Sequence, residues 1–360
     1  MTDYSKRISL LQKSLDKNNL DAILVSQPEN RRYISGFTGS AGLCLVSNKD
    51  VILATDSRYS EQAKIQSPDY SILETLNSFN SWLPELLSGL SAGTKLGLET
   101  EHLTFATYTR IQEVTDDLNI SLVSTSSIIE NQRIIKDIDE RDWLKKAIEI
   151  TDKSLESAYS FLRPGTTEKE LAWHIEQAMR NSGAEGIAFD LIVASGPNGA
   201  MAHHSPGNEE IVRGVPIVID IGAKFNGYHA DLTRTITLGK PDKQFNDIFD
   251  IVLAAQETAI ATIKPGVTGN QADLLARQII DESGHKDHFG HSLGHGVGLA
   301  VHEYPRLARS APETLEEGMI FTVEPGIYIP GWGGIRIEDI VEFRDGQCWP
   351  ISQAPKHRNI

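Results

Sequence analysis

The sequence predicts a two-domain α/β (α+β) chain, in which a smaller α/β domain precedes a larger domain built on an internal repeat. Three observations carry this. The N-terminal third alternates short apolar runs with amphipathic helical stretches. That pattern breaks around 126–137. Beyond the break, related blocks recur at a nearly constant offset, as two equivalent halves about a pseudo-two-fold axis would require. The domains are expected over 1–132 and 133–360.

Residues 4–18 carry Ile8, Leu10, Leu11 and Leu15 at helical spacing. DAILVS (21–26) reads as a buried strand ending at Gln27-Pro28. Strand-like runs follow at 43–47, 51–55, 70–76, 95–98 and 120–124, with helical patterns near 58–66, 80–90 and 102–115. NRRYISGFTGSAG (30–42) reads as a turn-rich structural or domain-contact loop. It matches neither a P-loop nor a GxGxxG phosphate-binding pattern. Residues 138–162 form one long helix ending at Arg163-Pro164-Gly165. A second helix starts at Thr167, with Glu170 placed for a capping box.

The repeat is visible in three blocks. Arg163-Pro164-Gly165-Thr166-Thr167 corresponds to Lys264-Pro265-Gly266-Val267-Thr268, and Ser182-Gly183 to Ser283-Gly284, both at an offset of 101 (163 to 264, 182 to 283). GVPIVIDIG (214–222) corresponds to GMIFTVEPG (318–326) at an offset of 104 (214 to 318), which sets Asp220 opposite Glu324. Each of these acids is followed by a second, Asp231 and Glu338, so each half contributes a carboxylate pair from a hairpin.

Bulk properties exclude several function classes. A net charge of −15 argues against a nucleic-acid surface, which needs a basic face. The two cysteines, Cys44 and Cys348, form no CxxC pair, so neither a disulfide framework nor a thiolate zinc site is expected. The charged N-terminus reads as an amphipathic helix and not a signal peptide. No stretch approaches the ~18 apolar residues of a membrane span, and the cytoplasm is the expected location.

The chemistry concentrates in four segments. In VIDIGAKFNGYHADLTRTITL (218–238), Asp220 interrupts an apolar run, and Phe225-Asn226-Gly227 makes the turn. A charge in a buried strand is costly, so Asp220 either pairs with Arg234 or a nearby lysine or ligates a metal; this segment alone leaves both open. In HSLGHGVGLAVHE (291–303) the flanking glycines disfavour a helix. On a strand, His291 and His295 lie about 13 Å apart at ~3.3 Å per residue, so only one, His295 between bare glycines, is expected to ligate. TVEPGIY (322–328) and GGIRIEDIVEF (333–343) each place a glutamate in an apolar strand, with Arg336 on the face of Glu338 as its partner or as a support for a ligand carboxylate. The adjacent His203 and His204 lie in a polar loop, where such a pair is usually solvent-exposed. Four carboxylates and one imidazole make a hard, oxygen-rich set able to hold two divalent cations.

Together DIGxxxxGYxxDxTRT (220–235), HxxGHGVGLxVHE (291–303), EPGIY (324–328) and GIRIED (334–339) resemble the creatinase/aminopeptidase P/prolidase/methionine aminopeptidase family with the pita-bread fold. The match covers roughly 160–345, and NRRYISGFTGSAG and TDSRY (55–59) are similar to the family's N-terminal creatinase-type domain. The resemblance implies two metal ions (Mn, Co, Zn or Fe), with Asp220 on one, Asp231 and Glu338 bridging, and His295 and Glu324 on the other. It implies that His203 and His302 contact the substrate and the tetrahedral intermediate, that Glu324 relays a proton, that His291 lines the substrate side, and that Arg336 backs the ligands. It also places Arg306 of HEYPR where prolidase-like members hold the substrate carboxylate.

The activity implied is an Xaa-Pro dipeptidase or aminopeptidase acting on small peptides with proline second, as a homodimer, with no nucleic-acid or membrane partner. A methionine-type aminopeptidase is the nearer alternative. A non-catalytic pita-bread peptide-binding module is the more distant one, and its mark would be loss of several ligands.

Overall fold

The computed structural model describes residues 2–360, which fall into two compact units, the first through Arg133 and the second Ile134–Ile360.

The first unit is a six-stranded sheet with flanking helices. Its order is Ser71–Glu74, Val51–Thr55, Leu43–Ser47, Ala22–Val25, Lys95–Glu99, Ser121–Thr125. Leu43–Ser47 pairs antiparallel both with Val51–Thr55, its hairpin partner, and with Ala22–Val25, and the other pairings are parallel. Ala22, Leu24, Leu45, Leu96 and Leu98 pack on Leu83, Leu86 and Ile111 from the helices. The segment read as turn-rich is half helix. Pro28 starts the helix Pro28–Ser35, and Gly36 ends it at φ 76. Proline at the first helical turn and glycine at its end outweigh the polar composition between them. Arg31 is buried and donates to the Gly39 and Gly42 carbonyls, which makes this stretch a structural loop.

The second unit is built on the repeat. In the first half, the helices Ile138–Phe161 and Glu168–Asn181 pack on a sheet ordered Leu232–Thr237, Pro216–Ile221, Ile192–Ser195. In the second, Lys243–Thr262 and Gly269–Glu282 pack on a sheet ordered Glu303–Leu307, Gly294–Gly296, Ile320–Val323, Asp339–Arg344, Gln347–Pro350. The equivalence extends to single hydrogen bonds. Ile211 N donates to Thr166 O at 2.8 Å and Leu315 N to Val267 O at 2.9 Å, while Glu168 N donates to Glu209 O at 3.1 Å and Gly269 N to Glu313 O at 2.9 Å. Thr167 and Thr268 each open their helix with a capping box, closed by Glu170 and Gln271. Asn226 and Gly227, at φ 45 and 78, form the two-residue turn between Phe225 and Tyr228. Among the described residues, no helix is long and apolar enough to cross a membrane, and both cysteines are buried and free.

Candidate metal centre

Each half brings two acids to the same place. Asp220 lies inside the strand Pro216–Ile221, opposite Thr233 on Leu232–Thr237. Asp231, Glu324 and Glu338 stand just outside their strands, at the ends of the runs that were expected to contain them. A strand end frees the carboxylate from the pleat, so acids from three different strands can turn toward a common point. Asp220, Asp231 and Glu338 are buried, and each offers an oxygen within 4.8 Å of the others.

The fifth residue joins through Glu324. His295 Nε2 lies 3.2 Å from Glu324 Oε1 and 3.6 Å from Asp231 Oδ2. Its Nδ1 is 3.1 Å from Gly296 O. A carbonyl can only accept, so Nδ1 carries the hydrogen and Nε2 is the nitrogen turned to the acids. Thr322 Oγ1 accepts from His295 N at 3.1 Å and donates to Glu324 Oε1 at 3.1 Å, tying the two residues together. The glycines beside His295 allow close packing. A Cβ on Gly294 would lie 2.0 Å from Thr322 O, and one on Gly296 2.1 Å from Tyr304 O.

Arg336 organises the other side. Its Nη2 donates to Asp220 Oδ2 at 2.6 Å, its Nε to Thr233 Oγ1 at 2.9 Å and its Nη1 to Tyr328 Oη at 2.6 Å. The partner expected for Arg336, Glu338, is reached only through Thr233, whose hydroxyl donates to Glu338 Oε2 at 2.7 Å. The strand Gly333–Arg336 ends before Glu338, so the two do not share a face. Arg234, the arginine expected as a possible partner of Asp220, pairs with Asp339 at 2.7 Å instead. His291 Nδ1 faces Ser292 O at 2.8 Å, so its Nε2 accepts from Tyr328 Oη at 2.8 Å.

The electrostatics are those of an anionic cluster short of positive charge. Burial, then the charges of Glu338, Asp220 and Glu324, push Asp231 well above the usual carboxylate range. Burial, then Glu324 and Asp220, push Glu338 well above it too. Burial also raises Asp220, against the pull of Arg336. Glu324 goes the other way. Burial would raise it, but the hydrogen bond and charge of His295, with His291 and Arg336, outweigh that and bring it to about 2. Despite its burial His295 is raised, by its hydrogen bond to Glu324. Burial holds His291 and His302 low, His302 also under the charge of His295, so both are neutral imidazoles near pH 7.

Asp220 Oδ1 and Glu338 Oε1 are buried and accept no hydrogen bond. Orphaned anionic oxygens in a buried cluster are costly unless a cation meets them. Hard oxygen donors with one imidazole suit divalent cations, and the residues present fit such a group.

Asp220, Asp231 and Glu324 line a cavity of about 830 Å³, entirely within the second unit. Its walls include His203, His291, His302, Arg306 and Arg336, so every residue singled out in the sequence except Glu338 borders it, and Glu338 lies in the cluster beneath. His302 stacks edge-on against His295 with ring centroids 4.3 Å apart. Of the adjacent pair, His203 is exposed, as expected, but His204 is not free in solvent: its Nε2 is 2.7 Å from the buried Glu168 carboxylate. Thr233, Thr322, Tyr328 and Glu168 were not singled out as contributors. Thr233 shares the face of Asp231 and Tyr328 lies within EPGIY, so both carried a signal. Glu168 carried none, being one of two acids in an ordinary first helical turn.

Comparison with known proteins agrees with this geometry. The profile of metallopeptidase family M24 matches residues 142–345, and that of the creatinase/prolidase N-terminal domain matches 7–135. The chain is 38% identical over 343 residues to an Xaa-Pro dipeptidase of Pyrococcus horikoshii, covering 95% of each. Among solved structures it resembles an Xaa-Pro dipeptidase from Bacillus anthracis (TM-score 0.94, 38% identity, 99% of this chain and 100% of that one). It also resembles an X-Pro aminopeptidase from Thermotoga maritima (TM-score 0.90, 37% identity, 98% and 99%). With a creatinase-type domain ahead of a pita-bread domain and a buried acidic cluster drawn from both halves of the repeat, the chain belongs to metallopeptidase family M24.

Proposed function

We propose that the chain is a two-cation exopeptidase that hydrolyses the Xaa-Pro bond of dipeptides or of peptide N-termini. The observation that carries this is the pair of donorless buried oxygens, Asp220 Oδ1 and Glu338 Oε1, in an acidic cluster beneath a pocket walled by histidines and two arginines. Asp220, Asp231, His295, Glu324 and Glu338 would hold the cations, with Asp231 and Glu338 shared between them; Mn, Co, Zn and Fe all suit the set. When bound, divalent cations supply a water nucleophile at neutral pH and positive charge for the developing oxyanion.

The chain's own groups do the rest. His203 and His302 stand in the pocket wall, where a ring N–H can donate to the oxygen that gains charge. The low affinity of His302 for a second proton keeps it a neutral donor. Glu324, ionised and facing the pocket, accepts the proton of the attacking water and passes it to the departing nitrogen. That delivery is required when proline follows the scissile bond, because its nitrogen carries no hydrogen of its own. Arg306 is exposed in the wall, a suitable partner for the carboxylate of a dipeptide. Similarity to the P. horikoshii dipeptidase supports dipeptides, and similarity to the T. maritima aminopeptidase supports longer chains. The presence of all five cation-binding residues speaks against a non-catalytic module.

The test is hydrolysis of Ala-Pro, Ala-Pro-Ala and Met-Ala-Ala by the chelator-stripped and the reconstituted protein. Cation-dependent cleavage of the first two is expected, and the ratio of their rates ranks dipeptidase against aminopeptidase. Cleavage of Met-Ala-Ala alone would indicate a methionine-type aminopeptidase, and no cleavage by fully loaded protein would end the enzymatic reading.

A further inference from the structure

One equivalent position is filled very differently in the two halves of the second unit. Glu168 opens the helix Glu168–Asn181, and Gly269 opens the helix Gly269–Glu282. Their backbone bonds match, but their surroundings do not. A Cβ on Gly269 would lie 2.0 Å from Arg306 O, so in the second half backbone packs on backbone. The first half instead buries a whole carboxylate, with Glu168 at 0% exposure.

That carboxylate is surrounded by donors. Oε1 accepts from Ser195 N at 2.7 Å and from Asn198 Nδ2 at 3.0 Å. Oε2 accepts from Gly207 N at 3.1 Å and lies 2.7 Å from His204 Nε2. With N–H donors on its other contacts, Glu168 is the acceptor and His204 Nε2 the donor. All four donors belong to one segment, 195–207, and that segment carries His203 into the pocket. The repeat does not need this residue, since the second half closes the same turn with a glycine.

We propose that Glu168 is a positioning residue. Gripping both ends of the segment and His204 in its middle, it holds His203 at the height where its ring meets the substrate. This rests on the reading above, in which His203 acts on substrate. The grip acts along the backbone: His204 cannot move from Glu168 without swinging its neighbour. Misplacing a reacting group by about 1 Å can cost on the order of 100-fold in rate.

The test combines kinetics with hydrogen exchange on the full-length, metal-loaded chain. Glu168→Ala is expected to lower kcat by about 10–100-fold, with KM and cation content near wild type. In a His203→Ala background the same substitution should cost less than about 3-fold, because it acts through His203. His204→Gln, which can still donate near the former Nε2, should recover most of the rate lost in His204→Ala. Exchange of the Ser195 and Gly207 amides should quicken on the order of 100-fold in Glu168→Ala while the helix core stays protected. Should that variant fail to fold, Glu168→Gln leaves one acceptor oxygen for four donors and serves in its place. Equal losses in both backgrounds, a loss that follows cation release, or unchanged exchange across 195–207 would each overturn the proposal. A wild-type chain that cleaves no Xaa-Pro peptide would remove the function proposed above, and the exchange experiment would still decide whether Glu168 holds the loop.

Discussion

Arg336 donates to Asp220 at 2.6 Å, and the same guanidinium bonds Thr233 and Tyr328. One planar fork therefore sets the direction of a cluster acid, orients the hydroxyl that supports Glu338, and fixes the phenol that caps His291. A lysine keeps the charge and loses the fork. Arg336→Lys is expected to weaken cation binding or activity by about 10–100-fold, the usual cost of removing a group that orients ligands. Isothermal titration with Mn²⁺ or Co²⁺ into stripped protein reads this directly, and wild-type affinity would refute it.

Burial and the charges of Glu338, Asp220 and Glu324 all raise Asp231. Asp231→Asn removes one buried charge and keeps the shape. The metal-free variant should melt a few degrees higher than metal-free wild type, since a relief of about 1 kcal/mol moves a domain of this size by 2–4 °C. The rise in melting temperature that cations give the wild type should vanish, and peptidase activity with it. A variant that melts lower and still responds to cations would contradict this.

The acid cluster gives the metal-free protein a distinctive pH dependence. Asp231 and Glu338 hold protons more tightly folded than unfolded, so the folded state binds more protons above the ordinary carboxylate value of about 4. Their contribution is therefore lost as pH rises from there toward their raised values. His295, also raised, adds stability below its ordinary value of about 6.5 that is lost as pH climbs past it. Glu324, lowered to about 2, acts oppositely, but its contribution fades only as pH falls below about 4.5. Stability in chelator, followed by denaturant titration, should thus decline as pH rises above about 4.5. The cation-loaded protein should lack this slope, and cation uptake should release protons, measurable by calorimetry in buffers of different ionisation enthalpy. A flat metal-free profile would show that the acids are not electrostatically coupled.

Gly294 and Gly290 flank the same histidine segment with opposite tolerance. A Cβ on Gly294 would meet the Thr322 carbonyl at 2.0 Å, whereas one on Gly290 meets nothing within 4 Å. Gly294→Ala is expected to destabilise the protein by about 3 kcal/mol or more and to displace His295, while Gly290→Ala stays within ~0.5 kcal/mol of wild type. Denaturant midpoints of the two variants check the contrast.

Asp220, Glu324 and Glu338 were legible in the sequence because each stands in an apolar stretch where a charge is expensive, and Asp231 because it follows Asp220 in the repeat as Glu338 follows Glu324. His295 was legible from its glycines, whose purpose is the close approach to Thr322 and Tyr304. Local reasoning failed where tertiary distance decides. The choice of Asp220 over Glu338 by Arg336 spans 116 residues, and the grip of Glu168 on Gly207 spans 39. No periodicity reports such pairings. The helix Pro28–Ser35 was hidden for the opposite reason: its polar residues resemble a loop, and only Pro28 and Gly36 mark its ends.

Glu338 N donates to Thr233 O at 3.1 Å, and Thr233 Oγ1 returns a bond to the Glu338 side chain. These two bonds stitch the first half of the second unit to the second. On a ribosome, the chain emerges with Asp220 and Asp231 long before Glu324 and Glu338 exist. A nascent or half-folded polypeptide therefore offers passing ions only an incomplete cage. On the function proposed above, cation capture would wait until synthesis is nearly finished, and a chain broken anywhere between 232 and 337 yields no fragment with the complete cluster.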